Sequence, residues 1–563
     1  MVELKRIFRF EIIVFSISIY ILYFLLNFFY LSTESPDYIF YKDYFYYFFQ
    51  ENEITGRENG IIYFYLVSLF VKLQEHNITP ISEIHVISNS IQITNLVLYL
   101  VGLVGLYKLL IFKKFKREPI IFSFSILNLM PFTFSLVVTM KPEILAFSML
   151  PWSLLIIELY LKSDNILYVY LGIPPNLLII SSKATIIAPV VLIYLTLVFI
   201  YKNKIVNKKV LIAVLIFIIL MSFILFENYI SNGYFILDHN PGGGGKEIST
   251  EDQVQFEFLY NINLKEIIQK PYRHNHADSF IGLILLDTFG DYFQWYSNNT
   301  KTLFTVDELP LQGIWYFGNV KELLALLASI LLYFYIGFYM FKFKNNFIYY
   351  LLPFFGYFVF LILVFARRPY FDTSKSELFK THYFSYLLAI TFVFVMVELF
   401  KQKSLSKYLI IIFVLLVSFF QYGFPKTEYS NTLTYIKAKN SISPICEFNS
   451  LFIPSFSRSS DCKNYSQNIC QTDILLLDVR YLTSNLHSQE SIYPFEITNG
   501  KNIVKVKNES ECNKLVEEGY IYESLFSNKL LIPFVNIAYF LASIISLFIL
   551  SILIREKQTN IKA

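Results

Sequence analysis

The chain has 563 residues, of which 55% are hydrophobic and only 16% are charged. That composition is too apolar for a soluble protein of this length. The net charge of +4 is small and forms no basic stripe, so we expect no nucleic-acid partner. Repeated apolar runs of about twenty residues predict an all-α, polytopic membrane protein.

The first residues, MVELKRIFRF, precede a long apolar run without a small-residue cleavage site, which predicts a retained first helix. We predict twelve membrane spans, near 10–31, 91–111, 119–138, 144–162, 166–181, 184–200, 210–227, 322–341, 347–365, 384–400, 408–422 and 532–554. With the N-terminus in the cytoplasm, basic clusters such as those at 113–117 and 202–209 fall on the cytoplasmic side.

This topology predicts a transmembrane module over 1–422 with outer loops at 32–90, 228–321 and 366–383. A soluble extracytoplasmic domain follows over 423–531, and a last span with a cytoplasmic tail over 532–563. Within the first loop, the apolar run 61–73 makes only about 20 Å of helix, whereas the hydrocarbon core is about 30 Å thick. We therefore predict a helix that lies at the outer interface or dips into it.

The first outer loop places carboxylates among many aromatic residues, in the stretch SPDYIFYKDYF. Asp37 and Asp43 lie there, just beyond the first span. A carboxylate in that position can face the lipid headgroups and still reach water, which suits a general base acting on a lipid-linked substrate. The alternative is an ordinary acidic loop.

Two tight outer turns each place a lysine at the membrane surface. Lys141 lies in TMKPEILAF, where Pro142 starts the next helix, and Lys183 lies in ISSKATI. Two lysines at the outer mouth of a bundle suit an anionic headgroup or a phosphate. For Lys141, the alternative is a capped helix end with a lysine that snorkels to water.

The large outer loop contains the segment PYRHNHADSFIGLILLDTFGDYF. Four polar residues are close together there: Arg273, His274, His276 and Asp278. Two histidines with a carboxylate can bind a metal ion. We interpret the group instead as a polar rim over a substrate cavity, since no further spacing completes a set of ligands.

The late outer loop, ARRPYFDTSKSELFKTHYF, is more basic than outer loops usually are. Its candidate phosphate-binding residues are Arg367, Arg368, Lys380 and His382. Cations stabilise a departing phosphate while a carboxylate accepts the proton of the acceptor, so a basic loop facing an acidic one suits group transfer. Solvation of an exposed loop is the alternative.

All four cysteines, Cys446, Cys462, Cys470 and Cys512, fall in the predicted domain at 423–531. On the outer side two disulfides are expected, and three pairings are compatible with four cysteines. The stretches DILLLDVRYL and KNIVKVK have strand character, and ECNKLVEEGYIYESLFS predicts a helix and then a strand. We therefore expect a small α/β cap.

These features together resemble the GT-C superfamily of membrane glycosyltransferases, such as protein O-mannosyltransferases and aminoarabinose transferases. The resemblance lies in the acidic stretch SPDYIFYKDYF after the first span, the outer turn KPE, and a late K-x-H-Y element. It covers the part of the chain that precedes the cysteine-containing segment.

The resemblance implies transfer of a sugar, with inversion, from a polyprenyl-phosphate donor to a glycan, lipid or protein acceptor. The reaction would take place on the extracytoplasmic face of a bacterial inner membrane. Asp37 best matches the general base of the superfamily, and Asp43 is the second candidate. The resemblance leaves the involvement of a divalent metal open and implies no other cofactor.

Two other functions share much of this pattern. A polysaccharide polymerase or ligase would have the same topology without needing the aspartate of the first loop. A lipid-linked-sugar flippase or other transporter would carry charged residues in mid-membrane, and the predicted spans contain almost none.

Overall fold

The computed structural model describes residues 10–29, 61–73, 80–201, 208–232, 257–269, 271, 276, 279–290, 312–367, 381–402, 406–422, 436–438, 474–476, 495–498, 503–506, 509–518, 521–522 and 534–560. Over these residues the chain is mainly α-helical. The helices of the first part are α1 Phe10–Phe29, α2 Ile61–Leu73, α3 Pro80–Phe112, α4 Arg117–Leu127, α5 Pro131–Val138, α6 Glu143–Ser163, α7 Leu167–Ser182, α8 Ala184–Ile200 and α9 Lys208–Asn232.

The later helices are α10 Glu257–Tyr260, α11 Leu264–Gln269, α12 Phe280–Phe289, α13 Gln312–Lys342, α14 Phe347–Arg367, α15 Ser385–Lys401, α16 Ser406–Tyr422, α17 Glu509–Glu517 and α18 Phe534–Asn560. Two 3₁₀ turns, Lys344–Asn346 and Thr381–Phe384, precede α14 and α15.

Helices α6 and α15 form the centre of the bundle. Most side chains of α6 are buried, as is every side chain of α15 from Ser385 to Leu399. α6 packs mainly against α3 and α7, and α15 packs mainly against α14 and α4. A helix that is apolar on all sides is typical of a position surrounded by other helices.

Two glycines of α3 allow its close approach to α6. A Cβ atom at Gly102 would lie 2.7 Å from the Phe147 carbonyl oxygen, and one at Gly105 would lie 2.6 Å from the Trp152 ring. The Trp152 indole also donates to the Val101 carbonyl at 3.0 Å. Small residues at such contacts let two backbones approach and gain dispersion contacts, which helices in a membrane need for association.

Four helical segments are long and apolar enough to cross a membrane: Val86–Phe112, Glu143–Ser163, Glu322–Lys342 and Lys344–Ile362. A fifth is obtained if α4 and α5, which meet at a bend of 68°, count as one span. A helix lies at each of the twelve predicted positions. The number of twelve spans stays a prediction, because the other helices fall short of this length and hydropathy over the residues that the structure describes.

The outer surfaces of the bundle carry large apolar side chains. Phe199, Phe341 and Phe548 are more than 60% exposed. Water would disfavour so much exposed apolar surface, whereas lipid tails solvate it, so these faces fit a bilayer.

The short helix α2 packs inside the bundle. It contacts α3, α7 and α18, and most of its side chains are buried, including Tyr63 and Val67. An amphipathic helix lying flat on a membrane would expose one whole polar face. The structure thus differs from a helix lying flat at the outer interface, because α2 packs among other helices of the bundle.

Five short strands lie between α16 and α18: β1 Ile436–Ala438, β2 Ile474–Leu476, β3 Phe495–Thr498, β4 Ile503–Val506 and β5 Ile521–Tyr522. β1 pairs antiparallel with β2, and β3 pairs antiparallel with both β4 and β5. The α17 helix lies between β4 and β5. Most of 423–531 lies outside the described residues, so the α/β cap stays a prediction.

Candidate functional site

The turn that carries Lys141 is held by side chains of two neighbouring helices. Asn95 of α3 donates to the carbonyls of Val137 and Thr139 at 2.8 Å each, which caps the end of α5. Tyr63 of α2 in turn donates to the Asn95 oxygen at 2.8 Å. This chain of hydrogen bonds fixes the backbone two residues before Lys141.

The Tyr63 phenol is also linked to the lysine turn directly. Burial raises the pKa of Tyr63, and the Glu143 carboxylate acts in the same direction. Hydrogen bonds to Asn95 and to the Lys141 backbone act in the opposite direction. Because burial is the largest contribution, Tyr63 keeps its proton at neutral pH and remains a hydrogen-bond donor to Asn95.

Lys183 lies at the tip of a helical hairpin formed by α7 and α8. Its backbone is extended between the two helices, with φ −166° and ψ 143°. The Tyr194 hydroxyl of α8 donates to the Asn176 side chain of α7, so the two helices run back along each other. The predicted tight turn is therefore present, and it directs Lys183 toward the start of α6.

Lys183 and Glu143 form a buried ion pair. The Lys183 Nζ lies 2.7 Å from the Glu143 Oε1, and the two side chains are only 6% and 0% exposed. Moving two charges out of water costs several kcal/mol per ion, and their attraction often only compensates for that cost. A buried pair of this kind is consequently weak evidence for stability.

A second lysine and an aromatic ring complete the cluster. The Lys141 Nζ lies 5.1 Å from the centre of the Tyr383 ring, and the Lys183 Nζ lies 4.4 Å from it. Lys141 itself is only 2% exposed. We call Lys141, Glu143, Lys183 and Tyr383 the lysine cluster; it brings two lysines and a glutamate together at one aromatic ring.

The burial of Lys141 excludes the alternative of a snorkelling lysine. A snorkelling side chain keeps its ammonium group in water, whereas the Lys141 Nζ is enclosed by protein. Ammonium groups in a site of low dielectric constant attract an anion more strongly than they would in water. The arrangement can therefore bind a phosphate or another anionic group.

The ring of Tyr383 is placed by the residue that follows it. Phe384 is buried and packs edge-on against Tyr357 of α14, with ring centres 6.0 Å apart. It also lies over Gly356, where a Cβ atom would be 2.4 Å from the Phe384 ring. The 3₁₀ turn Thr381–Phe384 is thus anchored to α14 while Tyr383 faces the two lysines.

A second polar group borders this turn on α12. The hydroxyls of Thr288, Tyr333 and Tyr357 form a hydrogen-bonded row, at 3.0 Å and 2.7 Å, that joins α12, α13 and α14. Asp287 and Glu322 are each 6% exposed. Within the described part of the chain, no group of three or more histidine, cysteine, aspartate or glutamate residues could hold a metal ion.

Of the predicted site residues, the structure brings Lys141 and Lys183 together. His276 is buried, and α12 just after it contacts the turn that contains His382. Only the backbone is described for His382 and for Arg367, the last residue of α14. The remaining predicted residues lie outside the described residues: Asp37, Asp43, Arg273, His274, Asp278, Arg368 and Lys380.

The predicted disulfides also lie outside the described part. Cys446, Cys462 and Cys470 belong to segments that the structure does not describe, and only the backbone of Cys512, in α17, is described. Both the pairing and the presence of disulfides stay predictions.

Three residues of the site were not among the candidates from the sequence. Glu143 follows Lys141 closely, and its proximity to a lysine turn was visible, but its pairing with Lys183, forty residues later, was not. Tyr383 is the last residue of the K-x-H-Y element, so that motif contained the missing aromatic residue. Asn95 lies on the same helix as the amides Asn89 and Gln92, so the sequence did not single it out.

No model of a known protein family, no curated protein and no solved structure matches this chain.

Proposed function

We propose that this chain is a membrane glycosyltransferase that takes a sugar from a polyprenyl-phosphate donor and transfers it on the extracytoplasmic face. The observation that supports this proposal most is the lysine cluster. Lys141 and Lys183 are buried around one ring, and that ring follows the basic late loop with Lys380 and His382. A phosphate leaving group needs such a cationic site.

In the proposed reaction, an acceptor oxygen attacks the sugar carbon that carries the phosphate. The bond from this carbon to the phosphate oxygen breaks with inversion, and the polyprenyl phosphate leaves with the bonding electron pair. The carboxylate of Asp37 takes the proton of the acceptor, with Asp43 as the second candidate. Lys141 and Lys183 stabilise the charge that develops on the departing phosphate.

The remaining predicted residues extend this assignment along the loops. Arg367, Arg368, Lys380 and His382 would add positive charge on the donor side. Arg273, His274, His276 and Asp278 would line the side from which the acceptor approaches. The proposal includes a cytoplasmic N-terminus and a location in a bacterial inner membrane. It does not require a divalent metal.

The position of the charges favours transfer over transport. In the four segments long enough to cross a membrane, the charged residues lie near an end: Lys108, Glu143, Glu158, Lys162, Glu322, Lys342 and Lys344. A protein that moves an anionic lipid through the bilayer would need polar groups along its path. The lysine cluster instead lies at one end of α6, where a headgroup can bind without crossing.

The test is an assay of the purified full-length protein with a panel of short-chain polyprenyl-phosphate hexoses and pentoses. Asp37→Asn should lower turnover by about 10²–10⁴-fold, the contribution of a general base. Asp164→Asn is the matched control, because Asp164 is exposed at the other end of α6 and its left-handed φ of 52° also suits asparagine.

Loss of activity in Asp43→Asn alone would identify Asp43 as the general base. Full activity in both variants would reject a base in the first loop. Movement of a labelled lipid-linked sugar across vesicles without any covalent change would favour transport.

A further inference from the structure

One oxygen of the Glu143 carboxylate accepts a hydrogen bond and the other does not. Oε1 accepts from the Lys183 ammonium group at 2.7 Å. Oε2 is fully buried and has no hydrogen-bond partner among the residues that the structure describes. A buried carboxylate oxygen without a partner is costly, so such an atom in a functional cluster points to a ligand.

A second buried atom, on the neighbouring helix α15, is in the same state. The hydroxyl of Tyr386, one turn into the protein from Tyr383, has no hydrogen-bond partner within the described ranges. The Tyr386 side chain is fully buried and lies within electrostatic range of the Glu143 carboxylate. The helices that carry the two residues, α6 and α15, pack against each other, and the two atoms do not bond to each other.

The chemistry of these two atoms limits what can satisfy both. An ionised carboxylate oxygen only accepts hydrogen bonds, whereas a phenol hydroxyl donates one and accepts others. A group that bridges them must donate to Glu143 and accept from Tyr386. A hydroxyl does both, but a phosphate oxygen would be repelled by the carboxylate.

The position of the lysines limits the ligand further. Oε1 and Oε2 belong to one carboxylate, so a hydroxyl on Oε2 lies close to an anion bound by Lys183. With hydrogen bonds of about 2.7–2.9 Å on both sides, the anion and the hydroxyl would belong to nearby atoms of one molecule. Sugar phosphates have this arrangement.

We propose that Glu143 and Tyr386 form a sugar-hydroxyl site next to the phosphate site of the lysine cluster, and that they select a donor that carries a free hydroxyl near its phosphate. The inference rests on the proposed function and adds to it the residues that recognise the sugar. Glu143 and Tyr386 would be specificity residues, while the lysines bind any polyprenyl phosphate.

Two ligands test this division of labour, each measured by its dissociation constant for the full-length protein in detergent. One is a short-chain polyprenyl phosphate without a sugar, and the other is the polyprenyl-phosphate sugar that the intact protein uses. Tyr386→Phe and Glu143→Gln should each weaken binding of the sugar-bearing ligand by about 10- to 100-fold, the usual effect of losing a hydrogen bond to a charged group. Binding of the sugar-free ligand should change by less than about 3-fold in Tyr386→Phe, because the lysines remain. In Glu143→Gln it should not weaken, because this substitution removes a negative charge next to the phosphate site.

Tyr350→Phe is the matched control. Tyr350 also has a buried hydroxyl without a partner in the described part of the chain, but it lies on α14 next to Phe394, away from Tyr383. This variant should bind both ligands as the intact protein does. Thermal unfolding of each variant in detergent shows whether it is folded.

Three outcomes would overturn the inference. Equal losses for both ligands would show that Glu143 and Tyr386 only shape the phosphate site. Unchanged binding of the sugar-bearing ligand would mean that a bound water satisfies the two atoms. If the intact protein uses no member of the donor panel, the proposed function fails first, and the inference fails with it.

Discussion

At the scale of single residues, a buried and a partly buried lysine–glutamate pair can be compared in one bundle. Lys183 pairs with Glu143, and Lys113 pairs with Glu158 at 2.5 Å. The Glu158 carboxylate also accepts from the Tyr349 hydroxyl at 2.7 Å, and both members of this second pair keep about 15% of their surface exposed. The Lys113 pair is thus satisfied within the bundle, as expected for a structural pair, whereas Lys183 shares the lysine cluster with a second buried lysine, Lys141.

This difference predicts opposite results for matched substitutions. Lys183→Gln should weaken binding of polyprenyl phosphate by about 10- to 100-fold, because a charge-assisted contact to the phosphate is lost. Lys113→Gln removes the same charge from the other pair and should leave this binding unchanged. Isothermal titration of the purified variants measures both constants.

One outcome would contradict this prediction. Similar losses of affinity in both variants would mean that the lysines act through general stability rather than through the ligand. Each substitution leaves a glutamate without its lysine, which can lower the stability of the protein. Melting temperatures measured on the same samples therefore show whether a loss of affinity comes from a loss of stability.

At the scale of elements, the lysine cluster is formed by the ends of helices and not by their centres. The end of α5, the start of α6, the α7–α8 hairpin and the turn before α15 meet in the lysine cluster, and each is fixed by a named contact. The orientation of α6 is set by its packing against α3. Because the lysine cluster starts at the first residues of α6, any change in this packing moves Glu143.

The α3–α6 contact predicts a reversal of the usual effect of alanine. Alanine normally stabilises a helix by about 1 kcal/mol relative to glycine. At Gly102 the new methyl group would overlap the Phe147 carbonyl, so Gly102→Ala should instead destabilise by about 1–3 kcal/mol. Thermal unfolding in detergent measures the change.

The control for this prediction is Gly337 of α13. A Cβ atom there meets nothing within 4 Å, so Gly337→Ala should leave the melting temperature unchanged or raise it. An equal rise for Gly102→Ala would show that α3 and α6 do not approach as closely as described.

At the scale of the whole molecule, the predicted sides of the membrane correspond to opposite ends of the bundle. The turns predicted as cytoplasmic come together: Lys401 lies 4.0 Å from the Phe115 ring, and Gln402 donates to Tyr339. The turns predicted as outer come together around Tyr383. The full alternation of loops and the end that faces the cytoplasm both stay predictions.

The cysteines allow this orientation to be tested without new residues. If 423–531 is extracytoplasmic and contains two disulfides, an impermeant maleimide added to intact cells should label the protein only after reduction. Labelling that requires membrane permeabilisation would place the segment inside. Labelling without reduction would show free thiols and reject the disulfides.

The sequence alone determined the helical class, the positions of the helices and the presence of lysines in two tight turns, because hydrophobic period, proline and charge act over short distances along the chain. It did not identify Glu143, Tyr386 or Asn95, since their roles depend on partners forty or more residues away in sequence or on burial. Only the tertiary structure decided that Lys141 and Lys183 share one ring and that α2 is packed inside the bundle. Long-range packing sets which helix ends meet, and the order of residue types along the chain does not specify this packing.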